Sequence, residues 1–291
     1  MAQILDDLLR LLALERIEEN IFRGPSEDLG WGTVFGGQVL GQALSAATQT
    51  VPPDRLAHSL HAYFLRPGSV NMPIVYEVDR IRDGTSFTTR RVVAIQAGRP
   101  IFNMSASFQV AEPGFEHQDQ MPEAPPPEAV ESDQERHAKL AARLPEGVRR
   151  RTRTVRPFDL RTIDPQADPL APVRRPPVRK VWMKTVAELP DDPGLHRCLL
   201  AYVSDFLFIT TALEPHGVYL FGGNMQVASI DHVMWFHQTP RCDDWLLHVM
   251  ASPAAHGARG LVRGQIFTRD GLLVASTAQE GLIRQRPPRA S

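Results

Sequence analysis

Apolar positions along the chain recur with two periods, and the alternation between them divides it into elements. Residues 3–14 place Ile4, Leu5, Leu8, Leu9, Leu11 and Leu12 at helical spacing, and Ile17 to Arg23 then alternates as a strand does. A second helical stretch, Phe35 to Val51, opens on Gly36 and Gly37 and is rich in Gly, Ala and Ser. Its surface is too small and apolar for a helix facing solvent, so the pattern predicts a helix wrapped by a sheet. Strand-like runs follow at Ala57–Leu65, Ile74–Arg82, Ser86–Gln96 and Pro100–Val110. The last two flank Ala97-Gly98-Arg99, a hairpin signal, and Asp83-Gly84 marks another turn. The first half therefore reads as one helix against an antiparallel sheet.

Residues 119–178 differ in character: they hold eleven of the 25 prolines and the basic cluster Arg149–Arg151, Arg153 and Arg156. This stretch reads as a connection that contains one helical segment, about 132–144. Its arginines read as a solvated face, with pairing to ligand phosphates as the alternative. The order of the first half then returns. Trp182–Leu189 reads as a strand, Leu195–Leu213 as a helix apolar on nearly all sides, and Val227–His237 and Trp245–Ala251 as strands. Arg259–Thr268 and Leu272–Arg284 flank the turn Arg269-Asp270-Gly271. Pairing Ser59–Phe64 with Ser229–Met234 needs an offset of 170, Ile101–Ala106 with Leu273–Ala278 one of 172, and Gly37–Ala47 with Ala201–Thr211 one of 164. Near-constant offsets are what a duplicated fold produces. The expected organisation is an N-terminal unit (1–118), a connecting segment (119–178) and a C-terminal unit (179–291).

Composition narrows the class. The chain has 291 residues, 43% hydrophobic and 22% charged, as globular proteins do. Its 32 basic residues nearly cancel 33 acidic ones, so no global field recruits nucleic acid or an anionic membrane. Cys198 and Cys242 form no CxxC, which suits free thiols in a reducing compartment. No uninterrupted apolar run reaches the length of a membrane span. Asp6, Asp7 and Arg10 interrupt the apolar N-terminus, unlike a signal peptide, and Arg289-Ala290-Ser291 lacks the SKL peroxisomal address. A cytoplasmic location is the expectation.

Common catalytic motifs are missing: GxSxG, GxGxxG after a strand, GxxxxGK[ST] and HExxH do not occur, and the ten histidines and two cysteines give no metal-ligand spacing. One residue stands against its surroundings. Asp205 lies in Ala201-Tyr202-Val203-Ser204-Asp205-Phe206-Leu207-Phe208-Ile209, where a carboxylate loses solvation unless it is paired or hydrogen-bonded. The alternative is a solvent-facing Asp at a helix end. The repeat puts Gly41 at the equivalent place, an asymmetry suggesting one active half and one structural half. Gln279 pairs with Ser107 in the same alignment, and a strand Gln taken alone reads as an edge hydrogen-bonder. Ser229 has the counterpart Ser59 and taken alone reads as structural. His58 and His61 are expected on opposite faces of their strand and so cannot act as a pair; Asp231 and His232 also face opposite ways and read as structural.

Several stretches, in order, carry a resemblance: Gly32-Thr33-Val34-Phe35-Gly36-Gly37-Gln38, His58-Ser59-Leu60-His61-Ala62-Tyr63-Phe64-Leu65-Arg66-Pro67-Gly68, Arg82-Asp83-Gly84-Thr85-Ser86-Phe87, Gly114-Phe115-Glu116-His117-Gln118, Ser204-Asp205, and Met225-Gln226-Val227-Ala228-Ser229-Ile230-Asp231-His232. With these the sequence resembles the acyl-CoA thioesterase II family. The resemblance implies an α+β fold of two fused hot-dog domains, each an antiparallel sheet wrapped around a central helix. It implies hydrolysis of acyl-CoA to free acid and CoA, with neither cofactor nor metal, and assembly as a homo-oligomer. It also places the family's catalytic Asp, hydroxyl and Gln on Asp205, Ser229 and Gln279. Ser stands at 229 where the family usually has Thr; the hydroxyl is kept and a methyl that restrains χ1 is absent. Direct attack by water is the economical mechanism, with Asp205 as base and Ser229 and Gln279 holding the water and polarising the reacting centre. Amides near Gly36 and Gly37 stand ready for the thioester carbonyl or a phosphate. The competing readings are a non-catalytic acyl-CoA binder and a hot-dog hydratase.

Overall fold

The computed structural model describes residues 2–144, 149, 156–218 and 225–286. Helix α1 (Ala2–Leu12) is followed by a short hairpin, β1 (Glu15–Glu18) and β2 (Ile21–Gly24), where the pattern suggested a single strand. Then come α2 (Gly36–Thr48), β3 (Arg55–Phe64), β4 (Ile74–Asp83), β5 (Phe87–Gln96) and β6 (Arg99–Val110). The β5–β6 hairpin closes through Ala97 and Gly98, both at positive φ (48° and 70°), the geometry that matches the strands' twist. The connecting segment carries α3 (Asp133–Leu140), capped by Ser132, and a strand that periodicity did not reveal, β7 (Phe158–Ile163). The second half continues with β8 (Val178–Thr185), α4 (Pro193–Ser204), β9 (Met225–Ser229), β10 (Asp231–Phe236), β11 (Leu246–His256), β12 (Arg259–Thr268) and β13 (Leu273–Gln285).

All these strands join one antiparallel sheet in the order β1-β2-β4-β5-β6-β3-β10-β13-β12-β11-β8-β7, with β9 extending the pairing along β13. The order reads alike from either end, which is the duplication made visible: β7 takes the place of β1, β8 of β2, and β10 of β3. The halves meet where β3 pairs with β10. Ala62 lies opposite His232 there, flanked by His61 opposite Val233 and Tyr63 opposite Asp231. An offset of 170 interchanges these flanking pairs, as the Ser59–Ser229 alignment requires.

The sheet curls around α2 and α4, which pack against each other. Helix α2 is buried from Gly37 to Leu44. Its small residues serve close approach to the other helix as well as the sheet: a Cβ on Gly37 would lie 2.2 Å from the Tyr202 carbonyl, and one on Gly41 would lie 3.0 Å from that of Cys198. Its two glutamines are satisfied inside the core, Gln38 donating to the Pro25 carbonyl at 3.0 Å. Gln42 donates to the Leu11 carbonyl at 2.7 Å and accepts from the Tyr76 hydroxyl at 2.7 Å. Both cysteines are buried and free. Burial pushes the Cys198 thiol up to about 12, so it stays protonated.

Helix α4 begins cleanly, with the Asp192 carboxylate accepting from the amides of Gly194 (2.8 Å) and Leu195 (3.1 Å) and Pro193 in the first turn. It does not run to Leu213 as its apolarity suggests. It ends at Ser204, with Asp205 in the cap position and Leu207 at φ +62°, and the chain continues as a 3-10 turn over Ile209–His216. The Leu207 carbonyl, freed by this break, accepts from Arg179 Nη1 (3.0 Å) and Thr210 Oγ1 (2.7 Å). By composition Pro193–His216 passes for a membrane span, contrary to the expectation that no segment would, but 83% of its apolar window is buried inside the fold.

Candidate active site

Three elements of the second half converge beneath the α4 break. The break presents the Asp205 carboxylate, 9% exposed, at the wall of a cavity of about 560 Å³. Strand β9 brings Ser229 to the same wall. Regular alternation would send Ser229 to the opposite face from His232; the interruption of pairing at Ile230, between β9 and β10, returns it inward. Strand β13 brings Gln279, fully buried behind the other two. Gln279 Nε2 donates to Asp205 Oδ1 at 2.8 Å and to Ser229 Oγ at 2.5 Å, and Ser229 Oγ donates to Asp205 Oδ1 at 3.2 Å. The three residues singled out from the sequence thus form one closed triangle of hydrogen bonds.

The triangle assigns the atoms unequally. Both N–H bonds of the Gln279 amide point at Asp205 and Ser229, so none remains for a substrate. Asp205 Oδ1 receives two donors, whereas Oδ2 accepts no bond among the described residues and lies toward the start of α2. A Cβ built on Gly36 would stand 2.6 Å from Oδ2 and 3.0 Å from the Phe64 ring. Glycine is required there by close approach. The first amides of α2 have no intrahelical partner, and their dipole favours the neighbouring carboxylate. Gly36→Ala is expected to push the carboxylate off its position and lower the turnover number about 10²-fold with the fold intact, measured by turnover beside thermal unfolding.

The cavity is lined on the apolar side by Val34, Phe35, Phe206, Leu207 and Ile209. Arginines line it as well, Arg136, Arg156 and Arg179 among them. Arg156 sits 4.7 Å above the Phe206 ring and lines the cavity, so this member of the arginine cluster is not on a solvated face. Arg149 donates to the Leu144 carbonyl; Arg150, Arg151 and Arg153 lie outside the described residues. Among the described residues no group of three or more His, Cys, Asp and Glu side chains is placed to hold a metal.

Other candidates lie elsewhere. His58 Nε2 is 2.8 Å from Ser107 Oγ, and His61 packs edge-on against Trp235. The bulge between Ala57 and Ser59 breaks the alternation of β3 and puts both histidines on the outer face, not on opposite faces, away from the cavity. The repeat alignment also shifts. Aligning the helices by their first residues, Gly36 and Pro193, brings Asp205 over Thr48 in place of Gly41. Ala62 pairs with Met104, so the register places Gln279 over inward-facing Met104 and not over Ser107, which faces outward. The asymmetry between the halves survives: neither Thr48 nor Met104 is acidic or carries an amide.

His232 and His248 are buried on the inner face beside the triangle. Burial pushes the His248 imidazole down to about 3. A histidine whose folded pKa lies below its unfolded value loses stability as pH falls through the unfolded pKa toward the folded one. Stability is therefore expected to fall by about 2 kcal/mol between pH 7 and pH 5 from His248 alone. Urea midpoints at the two pH values measure this, and His248→Gln is expected to flatten the dependence.

Fold and site together define a double hot-dog protein with a hydrogen-bonded carboxylate at a cavity wall of its second half. The acyl-CoA thioesterase family matches residues 171–282, and the acyl-CoA thioesterase N-terminal domain matches residues 25–109. An acyl-CoA thioesterase 2 of Haemophilus influenzae is 47% identical over 98% of this chain and 99% of its own. Human acyl-coenzyme A thioesterase 8 is 40% identical over 95% of this chain and 88% of its own. The crystal structure of an acyl-CoA thioesterase II from Mycobacterium marinum superposes with a TM-score of 0.78 at 42% identity, covering 97% of this chain and all of its own. A hot-dog protein from Alicyclobacillus acidocaldarius shares the fold at 18% identity and a TM-score of 0.76 over 97% of this chain and 99% of its own. The chain belongs to the acyl-CoA thioesterase II family.

Proposed function

We propose that the protein hydrolyses fatty acyl-CoA to free fatty acid and CoA by direct attack of water, with Asp205 as general base. The hydrogen-bonded triangle of Asp205, Ser229 and Gln279 at the cavity wall carries this reading. Oδ2, the carboxylate oxygen left open toward the cavity, takes a proton from the water as its oxygen bonds to the thioester carbonyl carbon. Gln279 and Ser229 hold Oδ1, which fixes the plane of the carboxylate and so the direction of Oδ2. Negative charge develops on the carbonyl oxygen, and the free amides at the start of α2, near Gly36 and Gly37, are the donors placed to meet it. The C–S bond then breaks, and the CoA thiolate leaves and takes up the proton. Ser229 is not the nucleophile in this reading: its hydroxyl donates to Oδ1, the carboxylate oxygen already held by the Gln279 amide, whereas the open Oδ2 takes its proton from water. The apolar lining accepts the acyl chain, and the arginines of the cavity suit the phosphates of CoA.

Free-thiol release from short, medium and long acyl-CoAs tests the proposal. Turnover of at least one chain length by the folded wild type is expected. Tight binding of the esters with no thiol release would overturn it in favour of an acyl-CoA binder, and addition of water across an enoyl-CoA in favour of a hydratase.

A further inference from the structure

The register of β10 against β13, in which Val233 lies opposite Ala278, sets His232 opposite Gln279 when carried one residue further. Both side chains point inward and neither is exposed. Directly opposed residues have Cβ atoms about 5 Å apart, close enough for their polar ends to meet. Each side chain also carries a buried polar atom without a hydrogen-bond partner: Nδ1 of His232 and Oε1 of Gln279. The other imidazole nitrogen, Nε2, is 3.0 Å from Ser204 Oγ, one residue before Asp205.

We propose that His232 is a positioning residue for hydrolysis, its Nδ1–H donating to Gln279 Oε1 and so holding the amide with its NH₂ toward Asp205 and Ser229. This rests on the reading of Asp205, Ser229 and Gln279 as the catalytic group. The direction of each bond follows from what the partners can do. A carboxylate only accepts, so Gln279 must turn its NH₂ to Asp205, leaving its oxygen on the far side as an acceptor. The group opposite must then donate, which fixes the proton on Nδ1 and makes Nε2 an acceptor. Ser204 supplies that proton, since its hydroxyl rotates between the Ala201 carbonyl at 2.9 Å and Nε2. The result is a chain, Ser204 to His232 to Gln279 to Asp205, in which every bond has one donor and one acceptor. The bond from Nδ1 forms when the site tightens around substrate, as catalytic hydrogen bonds commonly do. Burial lowers the His232 pKa, against the opposing effects of Asp205 and Gln279, in keeping with a neutral ring.

Steady-state constants of three variants, each made also with Gln279→Ala, test this. His232→Leu removes the donor and is expected to lower kcat roughly tenfold with KM unchanged. His232→Asn carries an N–H at the place of Nδ1 and is expected to stay within about threefold of wild type, whereas His232→Gln carries its amide at the place of Nε2 and is expected to fall as far as Leu. With Gln279 already removed, none of the three should lower kcat further. An Asn variant as slow as Leu, or the same loss from His232→Leu with and without Gln279, would overturn the proposal. If the Leu variant does not fold, the contrast between Asn and Gln decides alone. Wild-type turnover in Gln279→Ala would instead overturn the catalytic group on which the proposal rests.

Discussion

Asp205→Asn is expected to lower kcat by about 10² to 10⁴-fold, the range for loss of a positioned general base, with the protein still folded and KM little changed. The asparagine fits the same space, and the triangle dictates how it lies. Gln279 Nε2 and Ser229 Oγ both donate toward position Oδ1 of residue 205, so the asparagine oxygen takes that place. Its NH₂ then occupies the place of Oδ2, toward Gly36 and the cavity, and presents a donor where the attacking water needs an acceptor. The substitution removes the base and also repels the water's protons. Thiol release from the best acyl-CoA, with thermal unfolding as the control, measures the effect. Retention of most of the wild-type rate in a folded variant would place the base elsewhere.

Gln279→Ala is expected to cost about 10²-fold in kcat, for a reason the hydrogen bonds alter. The sequence suggests an amide that polarises the reacting centre directly. In the structure both N–H bonds are committed to Asp205 and Ser229, and the side chain is fully buried behind them. Removing it leaves Oδ1 with the 3.2 Å bond from Ser229 as its only partner in the triangle and lets the carboxylate rotate. Displacement of a catalytic group by about 1 Å is enough for a loss of that size. KM is expected to hold, because Gln279 does not line the cavity. A variant raising KM with kcat intact would make Gln279 a binding residue.

The three candidate residues were brought forward before the fold was known, on two different grounds. Asp205 stands out from sequence alone because a carboxylate in an apolar run demands an explanation. Ser229 and Gln279 do not, since a strand serine or glutamine is ordinarily structural; only the resemblance brought them forward. What stayed hidden depends on local breaks in regularity. The α4 helix stops at Ser204 although the apolar pattern runs on, and the partly buried Arg179, distant in sequence, ties down the freed carbonyl of Leu207. A bulge in β3 turns His58 outward, and the interruption at Ile230 turns Ser229 inward; single-residue slips of this kind reverse faces without changing composition. The same parity error set Gln279 over Ser107 where the register sets it over Met104. Strand β7 alternates over only six residues, Phe158, Leu160 and Thr162 facing inward, a signal masked by the prolines of the connection around it, and it pairs along the edge of β8. His232 was read as structural because its partner on β13 is visible only once the register is known.

The central claim is that water, and no side chain, attacks the thioester. Mixing excess protein with a good acyl-CoA, quenching within one turnover and weighing the intact protein tests it most directly. The predicted result is CoA and free acid at the same rate, with the protein mass unchanged at every time point. A transient increase equal to the acyl group, carried on Ser229 and lost in Ser229→Ala, would contradict it and make the serine a nucleophile.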